Sequence, residues 1–238
     1  RIIAQSVINN FPDSEIITIP IADGGDGTLQ TLVDATNGII NTLNVHDPLQ
    51  RPINAQWGSL GNKNTAVIEM ARASGLAILN HNELNPLATT TFGTGELIKE
   101  AIDTNHKEII IGIGGSATND AGVGMASALG YKFIKKNGDL ISLGASEIGL
   151  ITNILIPDNL TNFSNHNILV ACDVNNPLCG KNGASYIYGP QKGANDEQVK
   201  FLDESLYSFS KVIEKDLNVD VLNIPGSGAA GGLGAGLM

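Results

Sequence analysis

The sequence predicts an α/β fold, and two observations carry that prediction. Short apolar, β-rich runs alternate with stretches of helical periodicity, and each such run gives way to a turn of glycine and polar residues, as in successive βα units rather than a β-sandwich. Residues 16–20 (IITIP) read as a first strand, followed by a Gly/Asp turn and a helix over about 28–36 that ends near Gly38. Residues 52–70 read as two antiparallel strands around the turn at 61–64 (GNKN). Residues 109–113 suit a buried parallel strand, and the glycine turn after them feeds a helix over about 121–129. A third βα-type strand is expected over 168–172 (ILVAC), followed at once by Asp173. Val199, Leu202, Leu206, Phe209, Ile213 and Leu217 recur at helical spacing behind Asp196, a plausible cap, and mark a packing helix without chemistry. Any domain boundary is expected in the Pro/Asn-rich stretch 80–86.

Composition narrows the function classes. The 238 residues, 42% of them apolar, suffice for one large or two modest domains with a real core. A net charge of −10, with only 14 scattered lysines and arginines, argues against nucleic acid and anionic membranes as partners. A small molecule is the expected partner. Cys172 and Cys179 are too few for a disulfide framework and lack histidines at zinc-ligand spacing, so two reduced thiols and a cytoplasmic setting are expected. No signal segment is recognisable, and no apolar run approaches the ~18 residues of a membrane span. The chain opens on Arg1 and stops in the small-residue stretch ending at Met238, which reads as a fragment.

Five turns offer chemistry. In the stretch 112–120 (GIGGSATND) a strand runs into glycines before a helix, an arrangement that aims unpaired N–H groups at an anion. There Gly114, Gly115, Ser116, Ala117, Thr118 and Asn119 are candidate phosphate binders, and Asp120 is a helix cap or a magnesium ligand. Gly112, Gly114 and Ala117 also satisfy a GxGxxA dinucleotide pattern, though no acid closes the next strand and no Gly-Lys-Ser/Thr follows. In 21–28 (IADGGDGT), Asp23 and Asp26 suit Mg²⁺ or one of them accepts a substrate proton; alternatively Asp26 caps the next helix. Thr94, in the Gly/Thr turn of 92–102, is a candidate cap or ligand, with Thr89, Thr90 and Thr91 beside it. Asp173 stands at a strand end, where catalytic acids sit. Lys192 lies in a glycine turn where an ammonium meets phosphate or carboxylate, and Glu69 with Arg72 forms a surface pair or a carboxylate clamp. His46, His81, His106 and His166 are isolated and read as surface residues.

Taken in order along the chain, IADGGDGT, DPLQRP (47–52), AVIEMARASGL (66–76), NPLATTTFGTGELI (85–98), IGIGGSATNDAGVGMASALG, VACDVNNPLCG (170–180), GPQKGA (189–194) and PGSGAAGGLGAGL (225–237) make the sequence resemble the bacterial glycerate kinase family. That family usually carries glycine where Gln50 and Ala121 stand here, begins earlier with a lysine-bearing loop, and continues beyond the Gly/Ala patch. The resemblance implies two α/β domains with the active site in the cleft between them, one Rossmann/flavodoxin-like with parallel strands and one mixed α+β. Residues 1–82 would belong to the mixed part, with the absent ends and residues 218–238, and 83–217 to the domain with the glycine loop.

The resemblance further implies transfer of a phosphoryl group from ATP, with Mg²⁺, to a hydroxyl of D-glycerate, giving 2-phosphoglycerate. Gly114 to Asn119 would hold phosphate oxygens, with Asp120 beside them in the cofactor site. Asp23 and Asp26 would bind the metal or take the proton, with Asp173 or Asp120 as second choice for either role, and Arg72, Lys192 and Thr94 would meet glycerate. Two rival readings are an NAD(P)-dependent oxidoreductase on Gly112, Gly114 and Ala117, and a catalytically incomplete nucleotide-binding fragment. A homodimer is compatible with either enzyme.

Overall fold

The computed structural model describes residues 2–17, 24–158 and 165–238. Along these run α1 (Ile2–Asn10), α2 (Thr28–Thr36), β1 (Ile39–His46), β2 (Pro52–Ser59), β3 (Thr65–Glu69), the single turn α3 (Ala71–Ser74), α4 (Phe92–Asp103), β4 (Glu108–Gly112), α5 (Val123–Ala128), β5 (Lys132–Lys135), β6 (Ile151–Leu155), β7 (Asn167–Ala171), α6 (Ala184–Tyr188), α7 (Asp196–Leu217) and α8 (Ala229–Gly236). No helix among the described residues is long and apolar enough to cross a membrane.

Five strands form one mixed sheet in the order β1-β2-β3-β4-β7. β1, β2 and β3 are antiparallel neighbours, while β3, β4 and β7 run parallel. The α/β expectation therefore holds, with an antiparallel meander added to one side of a parallel core. Every residue of β3 is buried, as expected of a strand covered on both faces. Val67 and its partner Ile110 face α2, where Leu29 and Val33 pack on them. Ala66, Ile68, Ile109 and Ile111 point to the opposite face, against Leu97, Ile98 and Ala101 of α4.

A second core lies beneath the antiparallel pair β5–β6. There α7 presents Leu202, Leu206, Phe209 and Ile213 to Phe133, Ile151 and Ile154, with the Phe133 and Phe209 rings edge to face at 5.8 Å. The main sheet draws strands from both sides of residues 80–86, since β3 pairs with β4 across that stretch.

Several sequence expectations need correction at the element ends. β1 is not among the strands expected from the sequence, although it forms the longest ladder of the sheet, from Ile39 opposite Ser59 to His46 opposite Pro52. The expected first strand falls partly outside the described residues, and its described part, Ile16 and Ile17, has no regular structure. α5 spans Val123–Ala128, beginning just after Gly122 and slightly later than the expected start. Asn195, not Asp196, caps α7: its side chain accepts from the Gln198 N–H while the Gln198 side chain accepts in return from the Asn195 N–H. Gly27, not Asp26, stands at the N-cap of α2, with φ of 95°. His106 is buried rather than exposed, held between Ser59 and Thr104 and edge-on to Trp57.

Candidate functional site

The parallel strands end level with one another: Glu69 is opposite Gly112, and Gly112 is opposite Ala171. This carboxyl edge is where open α/β sheets place their ligands. The turn at 24–27 lies directly across it. The Gly114 N–H donates to the Gly24 carbonyl at 3.2 Å. A methyl on Gly24 would stand 2.5 Å from the Ala171 carbonyl oxygen, and one on Gly114 would stand 2.9 Å from the Gly25 Cα. Glycine is demanded here because two loops touch backbone to backbone.

Beyond this contact the glycine loop opens. Gly115 takes a left-handed φ of 72°, and its carbonyl accepts from the Leu76 N–H while the Ala117 N–H donates to Ser74. The N–H groups of Gly115 and Ser116 have no hydrogen-bond partner among the described residues. Both residues line a cleft of about 280 Å³ together with Gly25, Asp173, Tyr188 and Gln191. Consecutive free N–H groups on a left-handed turn form an anion-binding concavity. Asp173, two residues past β7, is exposed at its rim.

A second cleft, of about 580 Å³, is lined by Asp26, Thr42, Asn54, Gln56 and Arg72. Asp26 reaches the wall shared by the two clefts, because a methyl on Gly115 would lie 4.0 Å from Asp26 Oδ1 and 3.3 Å from the Ala71 Cβ. Arg72 donates through Nε to Glu69 Oε2 at 2.7 Å, and Glu69 Oε1 accepts from the Leu29 N–H at 2.8 Å. Glu69 is 1% exposed, so the pair is not the surface bridge that the sequence allowed. One buried carboxylate fixes both the first turn of α2 and the guanidinium of Arg72, whose Nη groups have no partner among the described residues.

The other expected ligands are placed differently. Asp120 is fully buried. Its carboxylate accepts from the Thr90 and Thr91 hydroxyls and from the N–H groups of Thr91, Gly122 and Gly124. Burial raises its pKa against the pull of these bonds. The side chain clips the loop onto the start of α4 and does not open to a metal. Ala117, Thr118 and Asn119 are buried under the loop rather than at the cleft. Asn119 Nδ2 donates to Ser185, and Thr118 Oγ1 and Asn119 Oδ1 have no partner among the described residues. Thr94 does not cap α4, whose N-cap is Thr91: it sits inside the helix, fully buried, on Ser74 Oγ at 2.8 Å.

Lys192 lies beneath the glycine loop rather than exposed in its turn. It is 1% exposed and turns inward to Ser116 Oγ and the Thr118 carbonyl. Asp23 lies outside the described residues, and among those residues no group of three or more His, Cys, Asp or Glu could hold a metal. Both cysteines are free. Sequence reasoning missed Thr42, Asn54, Gln56 and Gln191 at the clefts. The first three alternate along β1 and β2, a period-two signal that would have marked one shared face.

The whole chain, residues 1–238, matches the family model described as the glycerate kinase family. It is 48% identical over 228 residues to the glycerate 2-kinase of Escherichia coli (strain K12), an alignment covering 96% of this chain and 60% of that protein. Identity to the glycerate kinase of Halalkalibacterium halodurans is 44% over 238 residues, covering 100% of this chain and 63% of the relative. Among solved structures, it is similar to the crystal structure of a candidate glycerate kinase 2 from Salmonella typhimurium LT2. That match has a TM-score of 0.90 and 46% identity over 99% of this chain and 63% of the other. The chain thus spans about three fifths of the length of these relatives.

Proposed function

The chain belongs to the glycerate kinase family, and on that premise we propose that its protein transfers a phosphoryl group from MgATP to a hydroxyl of D-glycerate, giving 2-phosphoglycerate. The observation that carries the proposal is the pair of clefts sharing a wall at Asp26 and Gly115. One offers free N–H groups for phosphate; the other offers a guanidinium for a small carboxylate. Phosphoryl transfer needs mainly this kind of positioning and charge neutralisation.

In this reading Gly115 and Ser116 hold phosphate oxygens through their N–H groups. Arg72, held in orientation by Glu69, binds the glycerate carboxylate with its open Nη groups, a fork suited to two oxygens. Asp26, on the shared wall, accepts the proton of the attacking hydroxyl. Exposed carboxylates at the cleft are hard oxygen donors and suit a magnesium ion held jointly with phosphate; Asp173 would contribute to it, with Asp23. Magnesium supplies charge neutralisation to the phosphates when bound. The setting we propose is the cytoplasm.

The oxidoreductase reading loses its support in the loop geometry. A dinucleotide fingerprint needs glycines that open a helix, whereas here the loop continues from Gly114 to Gly122 before α5 begins. The test is incubation of the full-length protein with MgATP and D-glycerate, with the product read by ³¹P and ¹H NMR. We expect 2-phosphoglycerate. Absence of turnover together with thermal stabilisation by NADH but not by MgATP would overturn the proposal, and a 3-phosphate product would correct its regiochemistry.

A further inference from the structure

We infer that Lys192 is a positioning residue of the anion-binding loop: from beneath, its ammonium fixes Ser116 so that the Ser116 hydroxyl donates into the cleft to a phosphoryl oxygen. The inference rests on the reading of that cleft as a phosphate site.

The local sequence Gly-Pro-Gln-Lys-Gly explains how a lysine comes to be inside. Pro190 to Lys192 form one 3-10 turn, and Gly193 ends it at φ 96°. A methyl on Gly193 would lie 2.4 Å from the Leu84 carbonyl oxygen, so the turn is pressed against the chain there and its side chain is directed inward. Lys192 Nζ lies 2.8 Å from Ser116 Oγ and 2.6 Å from the Thr118 carbonyl oxygen.

An ammonium only donates. Ser116 Oγ therefore accepts from Lys192, and its own proton must go elsewhere. No acceptor for it occurs among the described residues, and Ser116 lines the cleft. The donor that remains faces the space beside the free N–H groups of Gly115 and Ser116. A hydroxyl that accepts from a cation is also polarised into a stronger donor.

Charge points the same way. No carboxylate lies within ion-pair distance of Lys192 among the described residues. Among the described residues, the one charged group that reaches it is Asp120, from the loop, whose oxygens are already engaged by Thr90, Thr91, Gly122 and Gly124. The turn itself, α6 and residues 84–88 contribute no other charged side chain. A buried cation without a partner ion is costly, and burial lowers Lys192 to about 7. An anion in the cleft supplies the missing counter-charge through Ser116. Its binding therefore draws a proton onto Lys192.

The experiment uses the full-length protein with two probes, MgADP and inorganic phosphate, by titration calorimetry at pH 6.5 and 8.5. Lys192→Met keeps the length of the side chain and removes the charge; Ser116→Ala removes the relay. We expect each to weaken MgADP binding by about tenfold or more, and the double variant to lose little beyond the worse single, because the two act as one unit. KM for glycerate should stay within about twofold in both, a split that a general loss of packing would not give. Wild-type affinity, relative to Lys192→Met, should fall from pH 6.5 to 8.5 with proton uptake on binding. Unchanged MgADP affinity in a folded Lys192→Met variant, additive losses, or a wild type whose binding takes up no proton would each overturn the inference. Should Lys192→Met fail to fold, Ser116→Ala and the wild-type pH series decide it. Turnover of glycerate with a silent Lys192→Met sinks this inference alone. Phosphate binding that depends on Lys192 without glycerate turnover sinks the kinase reading alone.

Discussion

Gln50 and Ala121, the two positions where the sequence resemblance leads one to expect glycine, both have positive φ, 65° and 52°. A side chain in this region costs about 1–2 kcal/mol, part of which is returned because glycine loses more backbone entropy on folding. At Gln50, an exposed turn position, nothing else intervenes, so Gln50→Gly should stabilise the fold by about 0.5 kcal/mol. Ala121 is buried in the second core, and the ~0.8 kcal/mol of its methyl offsets the relief of strain, so Ala121→Gly should be near neutral. Urea midpoints at constant slope check both. Asp26 makes the sharper residue-scale test. It does not cap α2, whose N-cap is Gly27 without a side-chain bond. Asp26→Asn should leave stability within about 0.5 kcal/mol while lowering kcat by ~10² or more if it takes the hydroxyl proton. Near-normal turnover would remove Asp26 from the chemistry.

Elements were legible where one periodicity ruled. β4 and β7 read as apolar runs of the parallel part of the sheet, β3 reads as the second arm of a hairpin with β2, and α7 reads as a helix because one stripe packs on β5 and β6. Leu97, fully buried where α4 meets the sheet, illustrates what such an interface holds: Leu97→Ala should cost about 3 kcal/mol in chemical denaturation. Removing the cap of α7 with Asn195→Ala should cost about 1 kcal/mol, whereas Asp196→Ala, at a position that only favours the helix dipole, should cost less. β1 was missed because Asn41, Asn44 and His46 dilute its apolar content, although Leu43 and Val45 point to the core. The site was legible in the same uneven way. Gly114, Gly115, Ser116, Asp173 and Arg72 follow strand ends, and the rule that ligands gather there finds them. Thr94, Asp120 and Lys192 carry the same polar chemistry in similar turns, yet burial turns them inward. That burial depends on how residues 84–91 and 189–193 fold over the loop, which no local pattern encodes.

Over the whole molecule a net charge of −10 surrounds a cleft suited to polyanions, so the few cations near it must act at short range, where screening is weak. Lys192 links that requirement to stability. Its pKa falls from the ordinary lysine value of 10.5 to about 7 in the fold, so between these limits the unfolded chain holds a proton that the folded chain has released. The cost of burying the charge is fully present below pH 7 and is relieved as pH rises, by at most about 1.4 kcal/mol per unit. Cys179, pushed up to about 12 by burial, works in the opposite direction once its unfolded thiol titrates near 9, so the clean window is about pH 7 to 8.5. Across it, wild-type stability to urea should rise relative to Lys192→Met. Saturating MgADP should flatten that rise, because an anion above Ser116 keeps the ammonium protonated in the folded state. A rise that persists unchanged with MgADP bound would mean that the ligand and the lysine do not sense one another.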